Sequence, residues 1–222
     1  MLYGNRRNKQ KDKPVTSLIH ELYHGLEKMG IQVSDEAANG MLDYLDLLSK
    51  WNRVYNLTAV RKPEQMLTRH VFDSLAILPF VEGKRIIDVG SGAGLPGIPL
   101  ALTMPDCEFV LLDSNSKKTR FLQQAKTDLK LDNMEVVHER VEEYQPEQLF
   151  NTVVSRAYSS LAGMLESTSH LLLDDGVNLA MKGVYPVAEL DAIPAGFELI
   201  SVEQLQVPDL DADRHVVIIK RK

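Results

Sequence analysis

The stretch Ile86-Ile87-Asp88-Val89-Gly90-Ser91-Gly92-Ala93-Gly94-Leu95-Pro96-Gly97 constrains the fold more than any other part of the chain. Apolar residues lead into an acid, then into alternating glycines, then into a proline and an apolar helical pattern. That order predicts a strand, a tight turn and the start of a helix. In α/β proteins such a turn cradles a nucleotide-like ligand, because glycines let backbone N–H groups approach it without side chains in the way.

Two ligands fit the turn. Gly92-Ala93-Gly94-Leu95-Pro96-Gly97 matches the G-x-G-x-x-G of dinucleotide enzymes. The longer stretch from Asp88 to Gly94 matches D-x-G-x-G-x-G, the first motif of Rossmann-like methyltransferases that use S-adenosylmethionine. Asp88 favours the second reading. A carboxylate two residues before the first glycine suits a cationic sulfonium and amino-acid ligand better than a pyrophosphate. No Lys-Ser/Thr pair closes the glycine run, which argues against a P-loop.

The rest of the pattern divides around this turn. Residues 1–15 form a basic tail, with Arg6, Arg7, Lys9, Lys11 and Lys13, expected to be disordered. Residues 16–80 read as a helical cap. Leu18, Leu22 and Leu26 mark one helix, stopped at Gly30. Ser34-Asp35-Glu36 opens a second, with the stripe Ala38, Met41, Leu45 and Leu48, ending near Trp51. A loop over Asn52–Arg61 precedes a third, from Pro63 to about Leu78, stopped by Pro79. Residues 81–222 alternate. Strands are expected at Arg85–Val89, Glu108–Asp113, Glu135–His138, Thr152–Ser155 and Val177–Met181, the last after an Asp174-Asp175-Gly176 turn. Helices are expected at Gly97–Met104, Ser116–Leu129 and Leu161–Leu172. Phe197–Leu205 and His215–Ile219 are two further strands with no helix between them, so they pair as an antiparallel edge hairpin. The expected fold is therefore α/β: a doubly wound, mostly parallel seven-stranded sheet with that hairpin, the methyltransferase variant of the Rossmann-like architecture.

Composition limits the setting. With 222 residues the chain can bury a sizeable core, and no apolar run approaches a membrane span. A single cysteine, Cys107, excludes a disulfide framework and a Cys-rich zinc site, and no metal is expected. A reducing cytoplasm and a monomer are the simplest expectations. The net charge of −6 argues against a protein coated in positive charge, yet Arg53, Arg61, Lys62 and Arg69 cluster in one segment.

Ligands of open α/β sheets bind at the carboxyl ends of the strands. Gly90, Gly92, Gly94 and Leu95 follow the first strand. Asp113 ends the second, where an acid binds ribose hydroxyls. Arg140, Val141 and Glu142 follow the third, Arg156 ends the fourth and Lys182 the fifth. Each also has a plain reading: Asp113 as a helix cap, Glu142 as a surface acid, Arg156 and Lys182 as rim charges. Cys107 precedes the second strand, at the wrong end for a nucleophile. The Asp/Asn-Pro-Pro-aromatic motif of exocyclic amino methyltransferases is missing, since Ser155-Arg156-Ala157-Tyr158 stands in its place. What remains is an acceptor that is already nucleophilic, such as a ring nitrogen, which needs positioning more than a general base.

These residues resemble a family. Trp51-Asn52-x-x-x-Asn56-Leu57-Thr58, Arg69-His70-x-x-Asp73-Ser74, Asp88 through Pro99, Leu112-Asp113-Ser114, Arg140-Val141-Glu142, Ser155-Arg156-Ala157 and Lys182-Gly183 are similar to the RsmG/GidB methyltransferases. The resemblance implies methylation of N7 of guanine 527 in 16S rRNA, within the small ribosomal subunit or its precursor. It implies cofactor contacts at Gly90, Leu95, Val141, Glu142 and Arg156, beside the motif residues Asp88, Gly92 and Asp113. It implies that Asn56, Arg69, His70, Asp73, Arg140 and Lys182 position the RNA or the reacting guanine, Arg140 and Lys182 at phosphate or at the guanine edge. His70 and Asp73 also read as a local pair fixing the cap. The competing functions are a small-molecule methyltransferase, a ribosome-assembly factor without catalysis, and an NAD-dependent oxidoreductase.

Overall fold

The computed structural model describes residues 15–158 and 160–222. The basic tail expected over residues 1–15 lies outside them, apart from Val15, which opens the first helix. Helix α1 (Val15–Lys28) is followed by α2 (Asp35–Tyr55), whose N-cap Ser34 accepts a hydrogen bond from the Ala37 N–H. Ala38, Met41, Leu45 and Leu48 are buried as the stripe predicts. Each large side chain so buried contributes roughly 1.5–3 kcal/mol.

Helix α2 runs one turn beyond the expected end. Trp51 stacks on Tyr55 four residues later, with centroids 5.1 Å apart, and Asn56 closes the helix in the left-handed conformation. The third expected helix is also different. It starts as α3 (Pro63–Met66), widens into a π turn (Leu67–Phe72), closes as α4 (Asp73–Leu75), and a 3-10 turn (Leu78–Phe80) carries the chain through Pro79. His70 to Leu75 are all buried, so there is no polar face from which to read helical period.

The sheet has seven strands: β1 (Arg85–Val89), β2 (Glu108–Leu112), β3 (Met134–Val137), β4 (Phe150–Arg156), β5 (Leu172–Lys182), β6 (Phe197–Gln204) and β7 (His215–Arg221). Their order is β3-β2-β1-β4-β5-β7-β6. The first five are parallel, and β7 runs antiparallel to both β5 and β6. This is the α/β arrangement with an antiparallel edge that the alternation predicts. Helices α5 (Gly97–Thr103), α6 (Ser116–Asp128) and α7 (Leu161–Thr168) connect the strands. Strand β5 begins five residues early: Asp174-Asp175-Gly176 is an irregularity within it, not a turn before it, since Phe150 pairs Leu172 and Thr152 pairs Val177. A short helix, α8 (Val187–Leu190), was not expected.

Buried residues of α1, α2 and the π turn form one continuous cluster with Ile86, Phe109, Leu111 and Phe121. The cap and sheet thus share a core. A second cluster on the other face joins Val89, Val153, Leu165 and Val217.

Candidate active site

The glycine turn is held by its own structure. Gly94 has φ +83°, and a Cβ there would lie 2.4 Å from the Ile98 side chain, so only glycine fits. Six N–H groups of the turn are already used. Those of Gly90 and Ser91 donate to Leu112 O, those of Gly94 and Leu95 to Ser91 O, that of Gly92 to Asp113 Oδ2 and that of Gly97 to Asp88 Oδ2. A pyrophosphate would need those donors, and two of them already serve the carboxylates of Asp113 and Asp88. The turn therefore suits a neutral or cationic ligand and disfavours a dinucleotide. Tyr44 of the cap secures the turn from behind, its buried hydroxyl donating to Ala93 O at 2.7 Å.

Two adjoining cavities open at the carboxyl ends of the strands. The first, of about 400 Å³, takes Gly90 from the turn, Asp113 from the end of β2, Arg140, Val141 and Glu142 from beyond β3, and Arg156 from β4. Asp113 accepts from the N–H groups of Gly92 and Asn115 and from Lys118 Nζ at 3.3 Å. Three of the expected cofactor residues are not in the wall of this cavity. Leu95 is core, Gly92 is tied to Asp113, and Asp88 is wholly buried. Asp88 Oδ1 has no hydrogen-bond partner, and burial pushes its carboxyl up to about 7.

The second cavity, of about 410 Å³, lies between the cap and the ends of β4 and β5. Arg69, His70, Asp73, Lys182 and Arg214 line it, and it shares Arg156 and Ala157 with the first. Asp73 is its centre. Arg156 Nη1 donates to Asp73 Oδ2 at 3.1 Å, and Arg214 Nε donates to Asp73 Oδ1 at 2.7 Å. Arg156 also donates to Arg69 O, from the π turn. His70, within that turn, and Asp73, just after it, are both buried. His70 Nε2 meets Thr58 Oγ1 at 3.0 Å, and burial beside Arg156 lowers its pKa to about 4. The imidazole is neutral at physiological pH. Lys182 Nζ pairs with both Glu189 oxygens, at 3.0 and 2.8 Å.

Four of the six residues expected at the substrate, Arg69, His70, Asp73 and Lys182, line this second cavity. Arg140 lines the first instead, and Asn56 lines neither, serving as the cap of α2 and accepting from Arg61. Sequence reading missed Lys118, Tyr158, Arg214 and Glu189. Arg214 carried one signal, as the lone cation of the acidic hairpin loop Asp209-Leu210-Asp211-Ala212-Asp213. Among the described residues no cluster of three His, Cys, Asp or Glu side chains could hold a metal ion, and no helix is long and apolar enough to cross a membrane.

Solved structures with this fold include a ribosomal protein L11 methylase from Lactobacillus delbrueckii subsp. bulgaricus, with TM-score 0.53, 13% identity and 68% of this chain and 77% of that one covered. TrmN from Thermus thermophilus has TM-score 0.52 at 16% identity, over 70% of this chain and 53% of that one. Closer in sequence is the ribosomal RNA small subunit methyltransferase G of Nitrosococcus oceani, 50% identical over 199 residues, covering 90% of this chain and 93% of that protein. The protein of the same name from Ectopseudomonas mendocina is 52% identical over 203 residues, covering 90% and 95%. The family model GidB, rRNA small subunit methyltransferase G, matches residues 37–217. The chain belongs to the rRNA small subunit methyltransferase G family.

Proposed function

We propose that this protein transfers a methyl group from S-adenosylmethionine to N7 of guanine 527 of 16S rRNA, in the cytoplasm, acting on the small ribosomal subunit or its precursor as a monomer. The observation that carries the reading is the pair of cavities meeting at Arg156, one at the glycine turn with Asp113 and Glu142 in its wall and the other lined mainly by cations.

The first cavity fits the cofactor. Asp88 Oδ1 is a buried acceptor without a donor, and a positively charged ligand beside the turn would supply the missing compensation. Asp113 ends β2, where an acid suits ribose hydroxyls, and the family resemblance assigns the adenine to Val141 and Glu142, both of which line this cavity. When bound, S-adenosylmethionine supplies an electrophilic methyl group. Guanine N7 carries a free lone pair, so the chain has to orient it and has no proton to remove. His70, neutral and fixed by Thr58, and the Asp73-clamped Arg156 and Arg214 form a rigid wall for that purpose. Lys182 and Arg69 supply positive charge for the phosphates or for guanine O6.

The test is methylation of small subunits from a strain lacking the gene, with 7-methylguanosine mapped by chemical cleavage at the modified base. A single new site at guanine 527 is expected. Incorporation elsewhere refutes the substrate, and no incorporation into any RNA favours a non-catalytic assembly factor.

A further inference from the structure

Next to the second cavity lies a groove of about 440 Å³ formed by residues 182–189, and Lys182 and Gly183 line both. Its outer side is apolar and open. Val184 is 78% exposed, Tyr185 49% and Val187 66%. Single exposed apolar residues are ordinary, but three within four positions at the mouth of a cationic cavity form a patch.

The patch is held in place at both ends. His215 Nδ1 donates to Gly183 O at 3.2 Å, because that carbonyl can only accept. The His215 ring meets Tyr185 edge-on, 5.5 Å between centroids and at 87°. At the other end Glu189 accepts from the Leu161 N–H at 2.7 Å while gripping Lys182 Nζ. The apolar side chains are thus presented on a braced loop. Three side chains are far too small an area for a stable protein–protein interface, which buries about 800 Å² per partner. They match the face of one or two nucleobases, and the neighbouring Arg69, Arg156 and Arg214, opposed in the cavity wall by Asp73, leave a positive charge that complements a phosphate backbone even with Lys182 paired to Glu189.

We propose that Tyr185, flanked by Val184 and Val187, is a stacking platform for an unpaired nucleobase adjoining the guanine that enters the second cavity. The inference rests on the RNA-directed reading above. Single-stranded RNA is recognised largely by splayed bases stacking on aromatic side chains, and a platform beside the acceptor cavity would hold the strand while the target base is extruded.

The experiment compares the parent with Tyr185→Ala and Tyr185→Phe on unmodified small subunits, alongside ultraviolet cross-linking of the parent to the same particles with mass-spectrometric mapping. For Tyr185→Ala, KM for subunits should rise about tenfold, the range of one lost base–aromatic stack, with kcat and S-adenosylmethionine affinity unchanged. Tyr185→Phe should match the parent. A cross-linked nucleotide is expected on residues 184–187. If the parent methylates subunits and Tyr185→Ala has the same KM, the platform is refuted and the enzymatic reading stands. Cross-links from this loop to a ribosomal protein alone also refute it. A parent that methylates no RNA removes both.

Discussion

Asp73→Asn tests the centre of the site. One buried carboxylate receives two guanidinium hydrogen bonds, from Arg156 at 3.1 Å and Arg214 at 2.7 Å. An asparagine has one oxygen, so one arginine keeps a weaker, neutral acceptor and the other faces an amide N–H. A hydrogen bond to a charged group contributes about 1.5–3 kcal/mol, and weakening the second to a neutral bond costs about 1 kcal/mol more. The arginine side chains are 24% and 22% exposed, so water recovers part of their solvation and holds the cost below the 3–5 kcal/mol of a fully buried pair. The expected destabilisation is about 2–3 kcal/mol. For a chain of this size that lowers Tm by roughly 4–12 °C. Urea unfolding of the single variant, of Arg214→Met and of the double variant would yield a coupling energy, expected above about 1 kcal/mol. A Tm within about 2 °C of the parent, or a coupling near zero, would refute the claim that Asp73 clamps the two arginines.

Asp88 predicts a pH dependence. Its folded pKa, about 7, lies above its ordinary value, so its contribution to stability falls as pH rises from about 4 to about 7 and then levels. A permanently cationic ligand favours the ionised carboxylate, so S-adenosylmethionine should bind more tightly at pH 7 than at about pH 5.5 and release a proton; calorimetry in two buffers reads this, and absence of proton release refutes it. Tyr44→Phe leaves Ala93 O buried without a donor, and should cost about 1–3 kcal/mol in urea unfolding while weakening cofactor affinity. Gly94→Ala combines a φ of +83° with a 2.4 Å clash against Ile98, and should abolish cofactor-dependent thermal stabilisation; retained stabilisation would show that the turn can relax.

The parallel strands were legible because burial on both faces leaves short apolar runs bounded by turn residues, as at Val110–Leu112 and Val153–Val154. The π turn was not. His70 to Leu75 are buried without interruption, and a one-residue widening of a helix changes no residue type. Arg214 was hidden for another reason: its partner Asp73 lies 141 positions earlier, and the pairing follows only from β7 lying beside β5. The glycine turn was found, but its N–H groups serve the turn itself, which sequence alone could not reveal.

The two cavities differ in charge: the wall of the first sets Asp113, Glu139 and Glu142 against Lys118, Arg140 and Arg156, whereas the second has Arg69, Arg156, Lys182 and Arg214 against Asp73. The first offers a polyanion no net attraction, and the buried Asp88 carboxyl behind it favours a cation when ionised. Arg69, Lys182 and Arg214 surround the second, so a cationic ligand gains nothing from entering it and a polyanion does. Arg156 is the wall between them, and Ala157, at φ +62°, turns the chain immediately after it so that Tyr158 returns to the first cavity. A non-glycine residue in that conformation costs about 1 kcal/mol and persists only where its surroundings impose it. Arg156, the residue before Ala157, is held from the cap by Asp73 and the Arg69 carbonyl. The cap and the end of β4 therefore meet at one guanidinium, which lines both cavities.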